Sequence, residues 1–290
     1  MLLGALALAG ACSSDDDGTP AAGGGTLNVV ASFYPLAELA TRVGGDAVRV
    51  TNLTPVGVEP HDVELTSRQV DQLEDADVVL YLGEDFQPAV AEVAENRDGR
   101  SLDLLDHVTL LAEGDEADPH FWLDPRRMAE AVRPVTEALA ERSAANAESF
   151  EANGAAYAQQ LAALDQELER GLADCDRREI VTAHAAFAYL ADRYRLEQLA
   201  IAGLSPEAEP DAERLAELAD QVEAKGITTV FFEELVPDDV ADALARETGT
   251  ATAVLNPIEG LEEDDAEAGK DYAAVMRDNL TALRAALGCR

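Results

Sequence analysis

Basic side chains are scarce in this sequence: 21 Lys and Arg stand against 58 Asp and Glu, for a formal net charge of -37 and a pI near 4.1. Binding along a phosphate backbone depends on Lys and Arg displacing counterions, so nucleic acid is excluded as a partner. A surface of this sign draws small cations, although most of its carboxylates are merely solvated and keep the chain soluble and monomeric. No repeat of 20 to 50 residues is present, which excludes a solenoid. The composition excludes a collagen, a coiled-coil rod and a multi-span membrane protein. His-Glu-x-x-His, a nucleophile elbow and a phosphate loop are all missing, which weakens the case for a hydrolase or a nucleotide enzyme. Histidine and cysteine are rare as well, at 4 and 3 residues. Each of those few positions therefore bears on function.

With 290 residues, the chain is long enough to bury roughly 75% of its unfolded surface and to divide into two domains. Residues 1–11 form an uncharged apolar run that is too short to span a bilayer and leads through Ala9, Gly10 and Ala11 into Cys12. This resembles a bacterial lipoprotein signal, with Cys12 lipidated after cleavage and the chain anchored on the outer face of the cytoplasmic membrane. No Lys or Arg precedes the run, which points to a start codon further upstream. A leader cleaved without lipid attachment is the alternative. Residues 12–26, rich in Gly and Asp, cannot bury enough surface to order themselves and read as a flexible tether. Cys175 and Cys289 remain as an even pair, and in an oxidising compartment such a pair is expected to form a disulfide, fastening the C-terminal helix to the start of the second domain. Two buried reduced thiols are the alternative.

From Leu27 onward, short apolar runs alternate with amphipathic stretches of ten or more residues, the pattern of an α/β protein with mainly parallel sheets. Strands are expected at 27–32, 48–53, 78–82 and 108–110, with helices at 35–43, 67–74 and 87–96. Between Arg126 and Ala173 the sequence is rich in Ala, Glu, Leu and Arg, all strong helix formers. A short helix is expected from about Pro125, followed by a long one of roughly 25 to 30 residues from about Ala144, extending about 40 Å. Strands at 180–182, 198–201, 229–232 and 251–255 then alternate with helices at 185–194, 211–224, 238–248 and 272–287. Gly226 and Gly249 sit where helices should stop. The expected organisation is an export signal at 1–11, a tether at 12–26, an N-terminal α/β lobe at 27–124, a helical connector at 125–173 and a C-terminal α/β lobe at 174–290.

Three of the four histidines lie near the end of an expected strand or in the loop after it: His61 in Glu59-Pro60-His61-Asp62, His120 in Asp118-Pro119-His120-Phe121-Trp122, and His184 in Thr182-Ala183-His184-Ala185. Ligands of α/β proteins usually bind at that edge, and imidazole suits Zn, Cu, Fe and Ni. Proline stiffens the first two loops against the entropy cost of holding a ligand. A lone histidine is more often a surface or hydrogen-bonded residue, but three in equivalent settings favour a shared metal. His107 has no such setting and is expected to face solvent.

These segments, together with Phe231-Phe232-Glu233-Glu234 and Leu255-Asn256-Pro257-Ile258-Glu259-Gly260, resemble the zinc/manganese solute-binding proteins of ABC importers, over almost the whole chain from Leu27 to Arg290. The resemblance implies two α/β lobes joined by one long helix, with the metal held in the cleft between them. It places three ligands on His61, His120 and His184. Many relatives have Asp where this chain has Asn256, whereas zinc-type relatives with the Asn-Pro-aliphatic-Glu motif use the glutamate, here Glu259. A neutral amide is the poorer ligand for a divalent cation, so Glu259 is preferred over Asn256, with water as a further alternative. Glu233 and Glu234 are expected either to line the cleft or to be surface carboxylates. Glu59 and Asp62 are expected to orient the His61 ring. Three imidazoles with one carboxylate match tetrahedral Zn2+, and the manganese members replace the third histidine with Glu. The His-rich loop of many zinc relatives is replaced at 112–117 by a short acidic stretch.

The resulting expectation is a zinc-capturing binding protein, not an enzyme, that passes its ion to a membrane permease. Release would come from separating the lobes, drawing His184 and Glu259 away from His61 and His120. The rival readings are a zinc hydrolase with Glu233 or Glu234 as general base and a matrix-binding adhesin of the same family.

Overall fold

The computed structural model describes residues 25–61, 63–83, 86–113, 116–208 and 210–290. The expected export signal, Cys12 and all but the last two residues of the expected tether lie outside the described residues, as does Asp62. In chain order the first half contains β1 (Leu27–Ala31), α1 (Tyr34–Gly44), β2 (Val48–Asn52), α2 (Ser67–Glu74), β3 (Val78–Tyr81), α3 (Pro88–Asn96) and β4 (Arg100–Asp103). A two-stranded hairpin, β5 (Ala112–Glu113) and β6 (Glu116–Ala117), precedes α4 (Pro125–Arg142) and α5 (Ala147–Gly171). The second half comprises β7 (Glu179–Thr182), α6 (Ala188–Tyr194), β8 (Glu197–Ala200), α7 (Ala212–Lys225), β9 (Thr229–Phe232), α8 (Asp239–Thr248), β10 (Ala251–Val254), α9 (Glu263–Glu267) and α10 (Tyr272–Leu287).

Two four-stranded sheets result, in the orders β2-β1-β3-β4 and β10-β9-β7-β8, and every pair within them is parallel. Counted from the first strand of each half, both sheets have the same order, second-first-third-fourth. The direction of winding therefore reverses between β1 and β3 in one sheet and between β7 and β9 in the other. Ligands bind at such switch points, beyond the carboxyl ends of the strands.

The central strands read as continuous apolar runs because both of their faces are covered. All four residues of β3, Val-Val-Leu-Tyr, are buried. The edge strand β4, Arg-Ser-Leu-Asp, buries only Leu102. That is why it escapes an apolar-run search, and the strand expected at 108–110 is a correction: that stretch is extended chain whose Val108 and Leu110 rest against the core. The expected short helix from Pro125 is in fact 18 residues long and continues through Pro134, which is buried within it. The long helix α5 has 25 residues, about 38 Å at the helical rise of 1.5 Å. The main core runs without a break from Leu27 to Leu287 and joins helices α1, α4, α5, α6 and α10. Smaller clusters lie between the first sheet and α2 and α3, and between the second sheet and α7 and α8. Cys175 and Cys289 form a disulfide that ties the end of α10 to the segment before β7. Among the described residues no helix is long and apolar enough to cross a membrane.

Candidate metal centre

The four candidate ligands arrive on four different loops. His61 lies between β2 and α2, His120 directly before the 3-10 turn Phe121–Leu123, His184 two residues past the end of β7, and Glu259 in the loop between β10 and α9. Each loop is shaped by its own sequence. Asp124 caps α4 by accepting from the Arg126 N–H at 2.8 Å, and Pro125 opens that helix, so the chain turns sharply after His120. Asn256 shapes the last loop: its Oδ1 accepts from the Ile258 N–H at 2.7 Å, and its own backbone exchanges hydrogen bonds with the Asn279 side chain at 2.8 and 2.7 Å. Ile258 is held at φ 58°, in the left-handed region that a β-branched side chain disfavours. Strain of this kind costs about 1–3 kcal/mol and persists only where the surroundings impose it. Here it delivers the next residue, Glu259, to the centre.

The imidazoles converge. The Nε2 atoms of His61, His120 and His184 lie 3.4, 3.1 and 3.3 Å from a single oxygen, Oε1 of Glu259, and one ligand atom from each of the four residues lies within 4.8 Å of all the others. A tetrahedral ion with bonds of about 2.0–2.1 Å needs donor atoms about 3.3–3.4 Å apart. The three distances to Glu259 match the edges of that tetrahedron. His120, His184 and Glu259 are fully enclosed, while the His61 side chain keeps 9% of its surface exposed.

Two further carboxylates orient the rings. Asp118 Oδ1 is 2.8 Å from His120 Nδ1 and also accepts from the His120 N–H. Both oxygens of Glu233 lie 2.8 Å from His184 Nδ1. Each carboxylate fixes its ring so that Nε2 faces inward, and it increases the basicity of that nitrogen. Burial alone would lower the pKa of His120, but hydrogen bonds to Asp118 and Glu259 outweigh it and raise that pKa above the usual range. For His184, burial is likewise outweighed, by the charges of Glu233 and Glu259, and its pKa is pushed up to about 10. Burial would raise Glu259, but the His184 charge and hydrogen bonds to the three imidazoles hold it well below the usual carboxylate range.

His61, His120, His184 and Glu259 are thus brought together. The Asn256 side-chain oxygen and nitrogen are engaged instead by the Ile258 N–H and by Glu234. Glu234 is exposed on the outer side of that bond, whereas Glu233 is buried against His184. Glu59 accepts from the His61 backbone N–H at 3.0 Å. His107 is exposed, as expected. The role of Asp118 went unread in the sequence, although an Asp two residues before a candidate ligand, across a proline, was the available signal.

Residues 29–286 match the family described as ZnuA, zinc-uptake complex component A, periplasmic. The chain belongs to this family. Similarity to individual ZnuA-type proteins follows the same extent. The chain is 38% identical over 278 residues to the zinc-binding lipoprotein AdcA of Streptococcus pneumoniae serotype 4, an alignment covering 90% of this chain and 56% of that protein. It therefore spans about half the length of that relative. With the high-affinity zinc uptake system protein ZnuA of Bacillus subtilis it shares 34% identity, across 97% of this chain and 94% of the relative. The crystal structure of the Zn(II)-bound ZnuA-like domain of S. pneumoniae AdcA superposes with a TM-score of 0.79 at 39% identity, covering 91% of this chain and 99% of that one.

Proposed function

We propose that this chain captures Zn2+ outside the cytoplasm and delivers it to a membrane ABC permease, with His61, His120, His184 and Glu259 as the four ligands. The observation that carries this reading is the distance of 3.1 to 3.4 Å from each of three Nε2 atoms to one carboxylate oxygen. Those distances are compatible with three edges of a zinc tetrahedron, and the donor set suits zinc, whereas manganese prefers more oxygen donors and higher coordination. Membership of the ZnuA family and the zinc-binding relatives support the same assignment. The ion is cargo, so four protein ligands suit capture better than hydrolysis, which needs an open position for water. Glu233 is a poor general base for the rival hydrolase, because both its oxygens are engaged by His184. In this reading residues 27–124 and 174–290 are the lobes and 125–173 the connector. The chain acts as a monomer anchored on the outer face of the membrane through lipidated Cys12.

Elemental analysis of protein purified without chelator tests the proposal, alongside the variants Glu259→Ala and Asn256→Ala. One zinc per chain is expected in the wild type and in Asn256→Ala once the latter is shown to be folded, with the metal lost from Glu259→Ala. Stoichiometric manganese in place of zinc, or zinc retained in the glutamate variant, would overturn the assignment.

A further inference from the structure

By chain order His120 belongs with His61, and a simple separation of lobes would move the two together. The hydrogen bonds around His120 group it differently. Trp122 Nε1 donates to the Pro257 carbonyl at 2.7 Å, two residues before Glu259. The Tyr272 hydroxyl, at the start of α10, donates to the Trp122 carbonyl at 2.6 Å. The Tyr189 hydroxyl, on α6, donates to the Asp118 carbonyl at 2.6 Å and accepts from the Leu111 N–H at 2.9 Å. All three aromatic side chains are fully buried. A buried donor or acceptor left without its partner costs about 1–3 kcal/mol, and water does not reach these groups to replace what is lost. The segment carrying His120 is therefore bonded to the same half of the molecule that supplies His184 and Glu259.

His61 is held in another way. No bond from its Nδ1 matches the carboxylate contacts of His120 and His184 among the described residues. Its ring rests edge-on against Phe86, with centroids 4.5 Å apart. The chain leading to it exposes Val56 and Val58, at 48% and 41%. That chain reaches the C-terminal half through a backbone bond from the exposed Gly57 N–H to the Leu261 carbonyl, at 2.9 Å. Water can take over a bond at the surface with little net cost.

We infer that Trp122, Tyr189 and Tyr272 are positioning residues that keep His120 with His184 and Glu259 as a standing three-ligand half-site, and that His61 is the ligand exchanged as the ion enters and leaves. The second half of this statement rests on the zinc reading above; the first half stands on the hydrogen bonds alone.

Hydrogen exchange of the full chain, read by mass spectrometry with and without added Zn2+, separates the two. In the metal-free protein, amides of 118–124 should exchange at least about ten-fold more slowly than those of 54–61, since protection follows the free energy of local opening. Added zinc should then protect 54–61 and leave 118–124 nearly unchanged. Trp122→Phe deletes the donor while keeping a ring against Phe33 and Phe86, which lie 4.9 and 5.8 Å from the Trp122 ring. Loss of one buried bond should speed exchange at 118–124 and zinc dissociation by about ten-fold each, with the amides of β3 unaffected. A merely structural role would speed exchange throughout the chain, and that result would overturn the inference. Tyr189→Phe provides the same reading if Trp122→Phe does not fold. Equal exchange of the two segments in the metal-free chain, or equal protection of both by zinc, would also overturn it. If zinc neither binds nor protects any segment, the zinc reading falls, while the metal-free comparison still decides whether His120 is pinned.

Discussion

At the scale of single residues, the centre is a store of charge arranged for exchange with a cation. Glu259 is ionised, and His184, with a pKa pushed up to about 10, is protonated at neutral pH in the metal-free protein. Zinc needs the neutral imidazole, so binding must expel that proton, and apparent affinity should rise with pH until the His184 value is passed. The stability of the metal-free fold runs the other way. A histidine whose folded pKa lies above its unfolded 6.5 stabilises fully below that value and loses its contribution as pH rises through about 10. Calorimetric titration in buffers of different ionisation enthalpy should therefore register at least one proton released per zinc at pH 7. Melting of the metal-free protein should shift downward between pH 7 and 10, and the shift should shrink in His184→Ala, leaving the part that the raised His120 contributes. Zinc binding with no proton release would show that His184 is neutral beforehand. The proposed ligands could be picked out in the sequence because each histidine closes a strand or a proline-stiffened loop, and because Glu259 sits in a motif that resembles that of zinc-type relatives. Asp118 and Glu233 were harder to read. Which carboxylate faces an imidazole depends on side-chain direction and on the pairing of β7 with β9, and neither of these is a local property.

Among the elements, α4 and α5 pack closely against each other in the main core. Gly154 lets the helices approach: a Cβ there would lie 2.6 Å from Thr136 Oγ1 and 3.3 Å from Val132 Cγ1. Thr136 cannot easily yield, since its hydroxyl donates to the Val132 carbonyl at 2.8 Å. Gly154→Leu should destabilise the protein by about 1–3 kcal/mol through overpacking, measured by urea unfolding, while zinc stoichiometry stays unchanged because the four proposed ligands sit on loops away from this contact. An unchanged unfolding midpoint would mean that the helices separate without cost. The length of α5 could be read from its composition. The full extent of α4 could not, because Pro134 ordinarily stops a helix, and only burial along α1 and α5 carries the helix past it. The edge strand β4 was invisible for the opposite reason: one buried residue in four leaves no apolar run to detect.

On the scale of the whole molecule, the two ends of the second sheet perform different tasks. His184 and Glu233 stand at the carboxyl ends of β7 and β9, whereas the disulfide lies beyond the amino end of β7, where Arg290 N–H also bonds the Asp174 carbonyl at 2.9 Å. The strand of 4 residues and its flanks separate them, a span of more than about 13 Å at 3.3 Å per residue. The crosslink joins positions 114 residues apart, and closing a loop of that size constrains the unfolded chain by about 4–5 kcal/mol. Replacing both cysteines with serine should lower the melting temperature by about 10 °C for a chain of this size, yet leave zinc affinity and proton release as they are. Saturating zinc should recover part of the lost melting temperature, because a ligand that binds only the folded state stabilises it by mass action whatever weakened the fold. If the double variant instead loses zinc while remaining folded, the two ends of the sheet are mechanically coupled, and fastening α10 to the start of β7 would then be part of how the centre is held.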